Sequence, residues 1–339
     1  MGEEWKEEYA KAQAKQRNKL LVWLGGLFSG IGLFYVIFNT DEDKYKISSI
    51  LRFIFTLLKI FGLFILGVVI IYGVFMVISD IIEKYKLKSI KYGTKLDING
   101  HKMVVAQYGI EKEKTIVIFT GLLSASPVLH YKPFTEKLCE KYRVVVLEPF
   151  GYGLSDMLDP KVKGNERTIQ NIVKEYHAAI KQLGINKYYI LGHSIGGAYT
   201  LCYANTYQDE VLGCIVFDAT TLYDEELMKL TDQAVSKLAL ISKLGVQRIN
   251  SIFNKRNVFL PLYEKYDYSK EDIEMFRVLA LQKSLNKTVL NESALMFDNL
   301  ISIKDMKFPK HIPILDYVCS VNVKAISNFK DTHLVLGTE

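Results

Sequence analysis

Residues Ile60 to Ser79 carry no charged side chain, and neither do Leu20 to Phe38. Those two runs limit what the chain can fold into more than anything else in it. A backbone surrounded by hydrocarbon must satisfy its own N–H and C=O groups, and a lone segment does so only as a helix. At about 1.5 Å of rise per residue, either run reaches across a hydrocarbon layer of about 30 Å. Both are too long for a secretory signal and end without a small-residue cleavage pattern. The expectation is an integral membrane protein in contact with membrane lipid. A hydrophilic tail, 1–19, precedes an anchor region, 20–88, which holds the apolar segments 20–38 and 60–79. Basic residues flank both runs: Lys15, Arg17 and Lys19 before the first, Arg52 and Lys59 between them, Lys84, Lys86 and Lys88 after the second. These flanks nearly balance, so the positive-inside rule assigns no side to the rest of the chain.

From about Ser89 the pattern changes to short apolar runs separated by turn residues. Thr115 to Phe119, Tyr142 to Leu147, Lys187 to Leu191, Val211 to Phe217 and Ile312 to Val318 read as strands. Between the second and third of these, Ile169, Ile172, Val173, Tyr176, Ile180 and Leu183 recur at spacings of three and four, and Gly184 ends the helix. Alternating strands and helices imply a largely parallel sheet covered on both faces. The alternation stops over 221–310, which reads as several helices forming a cap. The sheet-bearing core is therefore expected in two pieces, 89–220 and 311–339.

Composition narrows the function classes. The formal charge is +6, with basic residues scattered instead of clustered, so nucleic-acid binding is not indicated. Cys139, Cys202, Cys214 and Cys319 stand far apart without metal-ligand spacing, and are expected as free thiols.

The chemistry is written after the strand Lys187 to Leu191. Gly192-His193-Ser194-Ile195-Gly196-Gly197 follows it and leads into a helix. This is G-x-S-x-G between a strand and a helix. Glycines on either side allow a sharp turn that lifts the serine clear of the sheet. The helix start behind it aims N–H groups at a reacting oxygen.

Here the chain resembles the α/β-hydrolase superfamily, from roughly Tyr92 onward. Leu191 to Gly197 is similar to the family's nucleophile elbow. Glu148-Pro149-Phe150-Gly151-Tyr152-Gly153-Leu154-Ser155-Asp156 resembles the loop after its preceding strand. Thr120-Gly121-Leu122 stands where the family carries a His-Gly oxyanion loop. The resemblance implies Ser194 as nucleophile and the N–H groups of Leu122 and Ile195 as oxyanion donors. It also implies an acid and a histidine that follow the serine in the chain. Only His311 and His333 follow it, and His311 stands before the last strand; His333 is the candidate base, and the alternative is a packing histidine that leaves Ser194 without one. Asn322 occupies the usual place of the acid, so Asp218, at the end of Val211 to Phe217, is the best substitute position, the alternative being a strand-end aspartate that caps a turn. The family's histidine normally follows one further strand, which is expected to be missing here.

The resemblance implies a serine hydrolase of esterase or lipase type acting on a carboxylic ester through an acyl-enzyme. It implies no metal or organic cofactor. A small-molecule ester or a lipid-like substrate suits the anchor and cap. The alternative from another class is an impaired or truncated relative that keeps the fold for binding.

Overall fold

The computed structural model describes residues 45–220, 225–256, 258 and 262–317. The apolar run 20–38, the candidate base His333, Cys319, and any strand after Tyr317 lie outside the described residues. The chain divides into two compact units, at Val74/Phe75. Helix α1 (Tyr45–Ser89) crosses that division. It is 45 residues long and extends on both sides of the uncharged run 60–79, including residues 45–59 that the sequence reading took as a connector. A charge-free run marks where a helix is apolar and not where it stops. Arg52, Lys59, Asp80 and Glu83 are compatible with helical backbone and merely end the uncharged stretch. Among the described residues α1 is the one helix long and apolar enough to cross a membrane.

The second unit is built on a seven-stranded sheet: β1 (Thr94–Ile98), β2 (His101–Tyr108), β3 (Thr115–Phe119), β4 (Arg143–Glu148), β5 (Tyr188–His193), β6 (Val211–Phe217) and β7 (Ile314–Tyr317). Their order in space is β1-β2-β4-β3-β5-β6-β7. The β1–β2 and β2–β4 pairs are antiparallel and the others parallel. The β1–β2 hairpin turns on Asn99 and Gly100, both at positive φ, as a two-residue primed turn requires. Asp97 Oδ1 accepts the Gly100 N–H at 2.8 Å.

Alternate residues of the central strands feed two apolar layers, as a period of two dictates. Val117, Phe119, Val145, Leu147 and Ile190 pack with α4 (Ile169–Gln182) and α5 (Ile195–Thr206). Ile116, Ile118, Val144, Val146 and Leu191 face the other way, toward α2 (Pro127–His130) and α3 (Lys132–Leu138). Thr168 caps α4 by accepting the Asn171 N–H, and Gly184, at φ +70°, follows its end.

Among the described residues between β6 and β7 the regular elements are helices: α6 (Glu225–Lys243), α7 (Val246–Phe253), α8 (Lys270–Lys283), α9 (Lys287–Ala294) and α10 (Met296–Ser302). They are joined to the core by specific contacts. The Tyr199 hydroxyl on α5 donates to Glu292 Oε1 on α9 at 2.6 Å, and the Tyr268 hydroxyl donates to the Leu129 carbonyl at 3.1 Å.

The last turns of α1 belong to this second unit and are fastened to the cap. Arg248 on α7 binds Asp80 at 2.8 Å and Glu83 at 3.0 Å. Gln282 on α8 donates to the same two carboxylates, and Lys86 pairs with Glu274 at 2.7 Å.

Candidate functional site

Parallel strands end together, and the loops leaving their C-terminal ends form the usual site of an open α/β sheet. Three residues other than glycine adopt positive φ at those ends: Leu123 (65°) after β3, Ser194 (55°) after β5, and Asp218 (44°) after β6. For side-chain-bearing residues this region is costly, and such outliers gather where a site demands a particular geometry. The only other non-glycine residue at positive φ among the described residues is Asn99, in the hairpin turn.

Ser194 is the N-cap of α5, with ψ −124°, and is partly exposed. Its backbone is fixed on three sides. The Ser194 N–H donates to the Phe217 carbonyl at 3.0 Å, and its own carbonyl accepts from Gly197 at 2.9 Å and Thr220 at 3.1 Å. Such a turn needs bare neighbours. A β-carbon on Gly196 would collide with the Phe119 carbonyl. One on Gly121 would stand 3.2 Å from the β-carbon of Ser194, so the β3 loop runs directly beside the serine. Ile195, next in the chain, is the first residue of α5, where N–H groups have no intrahelical acceptor. Leu122 follows Gly121 in the adjoining loop. The predicted serine and both predicted oxyanion positions are thus brought to one place.

Asp218 follows β6 immediately, and its N–H donates to the Tyr317 carbonyl at 2.8 Å, tying the β6 end to β7. Its charge is felt by His193. Burial lowers the pKa of that imidazole, and Asp218 acts in the opposite sense. His193 Nδ1 lies 3.1 Å from the Tyr131 hydroxyl, whose own pKa burial pushes up to about 12. That phenol is therefore neutral at ordinary pH. His311 sits before β7, at the opposite end of the sheet from Ser194.

Two neighbours of the serine were not read from the sequence. The hydroxyl of Thr220 lies 3.1 Å from Ser194 Oγ, and Tyr131 holds the ring of His193. In the loop after β6 the sequence reading singled out Asp218 alone. Nothing in the sequence singled out Thr220 within it.

Glu148 ends β4 fully buried beneath the neighbouring loop. The Tyr92 hydroxyl donates to it at 2.9 Å, Ser126 Oγ at 3.0 Å and the Leu154 N–H at 2.8 Å. Burial raises its pKa against the pull of these donors. It fixes the Gly151–Asp156 loop to the start of α2, next to the β3 loop.

A family model described as the alpha/beta hydrolase fold matches residues 114–266. The chain is 26% identical over 253 residues to the uncharacterized protein YbdG of Bacillus subtilis, covering 70% of this chain and 74% of that one. Among solved structures, a thermophilic esterase from Thermogutta terrifontis superposes with a TM-score of 0.50 at 16% identity, covering 72% of this chain and 89% of that one. A variant of an epoxide hydrolase from Vigna radiata gives 0.50 at 17%, covering 72% and 90%. At such identities the two structural likenesses speak for the fold alone.

Proposed function

We propose that this chain is a member of the α/β-hydrolase superfamily, whose fold model matches residues 114–266, and that it is a membrane-anchored serine hydrolase acting on a carboxylic ester. Ser194 Oγ attacks the ester carbonyl carbon and its proton passes to the base, for which His333 is the candidate. The tetrahedral oxyanion takes hydrogen bonds from the N–H groups of Ile195 and Leu122. Collapse expels the alcohol, which receives the proton, and leaves an acyl group on Ser194. Water then adds by the same route and releases the acid. Asp218 is the carboxylate assigned to orient the base. The substrate class is an apolar or lipid-like ester, in keeping with an anchor that keeps the site near a membrane.

One observation carries this reading. Ser194 is held at φ 55° on the strand–helix turn, with the β3 loop against it. A glycine-rich connection with no chemical task has no reason to place a serine in that conformation. The long apolar α1 supports the anchor.

The test is covalent labelling with a fluorophosphonate, which reports an activated serine directly. The native chain should label, and Ser194→Ala should not. A folded native chain that takes no label would favour the other reading, a hydrolase fold kept for binding. The contact of Ser194 Oγ with a second hydroxyl, that of Thr220, is the observation on that side.

A further inference from the structure

Helix α7 is built inside out for a helix on the surface of a soluble domain. Arg248 and Ser251, one turn apart, face inward; Ser251 is buried and Arg248 is spent on Asp80 and Glu83. Val246, Ile249, Ile252 and Phe253 occupy the other side, and all four are exposed, Phe253 by 84%. Leu240, near the end of α6, and Leu244, just after it and just before α7, are exposed as well.

The segment of α1 that α7 grips has the same inversion. Asp80 and Glu83 face the cap, Glu83 with only 3% exposure, and Leu87 packs into the apolar cluster of the cap. On the far side Ile78, Ile81, Ile82 and Tyr85 are exposed. Two neighbouring helices therefore meet through their charged faces and turn their apolar faces outward. Water favours the reverse, and apolar patches this continuous mark a surface with an apolar neighbour. Exposed lysines lie on the same segments: Lys243, Lys84, which pairs with Asp80 at 2.7 Å, and Lys255, which pairs with Glu274 at 3.4 Å; exposed basic side chains of this kind can reach lipid phosphates.

We infer that the outer face of α7, with the end of α6, rests in the lipid interface beside the emerging end of α1. The continuity of the patch with the apolar helix decides for lipid as the occupant. The cap is then a second, peripheral membrane contact, and the ion pairs at Asp80 and Glu83 fix the angle at which it is presented. This rests on the membrane-anchored reading above.

The experiment uses the full chain in vesicles of phosphatidylcholine and phosphatidylglycerol. Trp5 and Trp23 are first changed to phenylalanine to give a dark background. F253W is then compared with I110W, an exposed apolar position in the turn between β2 and β3. With lipids brominated near the top of the acyl chains, F253W should lose roughly half its emission or more, as for a side chain about 5–10 Å deep, and I110W little. Equal, slight quenching at both positions, in protein that withstands an alkaline wash, would overturn the inference and leave the anchor standing. Emission from F253W that is shifted to the blue but unquenched would mean that protein covers the face, and would overturn it too. Loss of the chain from the vesicles on washing would remove the anchor reading and this inference with it.

Discussion

A β-carbon on Gly153 would overlap the carboxylate of Glu148, and the residue's φ of +47° already disfavours any side chain. Gly153→Ala should therefore destabilise the fold by about 2–4 kcal/mol, checked by the midpoint of urea unfolding. The loss comes from displacing the buried carboxylate on which the loop beside the site is hung. At this scale the sequence was informative where a motif states a local geometry. Gly192 to Gly197 fixes a strand–turn–helix within six residues, so Ser194 could be placed from its neighbours alone. Thr220 could not, because it reaches Ser194 from the next strand, 26 residues on. Asp218 was legible as the end of an apolar run, and its positive φ was not.

At the scale of elements, the fully buried strands were the easiest to read. Runs such as Thr115 to Phe119 are apolar on both faces because helices cover both sides of the sheet. The strands β1 and β2 were missed because mixed polarity hides them, yet Asn99-Gly100 between them is a strong hairpin signal. The grip of the cap on α1 was illegible in principle, since Arg248 and Gln282 meet Asp80 and Glu83 across 165 to 202 residues of chain. That grip has a pH dependence. Burial alone would raise the pKa of Glu274, but Arg277 and Lys86 outweigh it and bring the carboxyl down to about 2. A carboxylate with a depressed folded-state pKa stabilises fully above its unfolded value and loses the benefit as pH falls through the folded one. Wild type should thus exceed Glu274→Gln in stability at neutral pH, by about 1 kcal/mol for a partly exposed pair. The gap in Tm should close as the pH falls from about 4.5 toward about 2.

For the whole molecule, the long apolar helix α1 and the hydrolase fold are not separable at the point where the apolar run ends. Removing everything before Ser89 would take away Asp80, Glu83 and Lys86, leaving Arg248 half-buried without its carboxylates. A chain beginning at Phe75 should therefore melt higher than one beginning at Ser89, by an amount corresponding to about 3 kcal/mol. Differential scanning calorimetry of the two would show it. The tension at the strand ends has a consequence of the same reach. Ser194 and Asp218 hold conformations that glycine enters freely. Ser194→Gly and Asp218→Gly should each raise Tm by about 2–4 °C, for relief of roughly 1 kcal/mol apiece. The same exchange at Ser194 removes the proposed nucleophile. Selection for heat tolerance alone would therefore drive this chain toward silence, and a screen for hardier variants should recover inert ones first unless turnover is scored alongside survival.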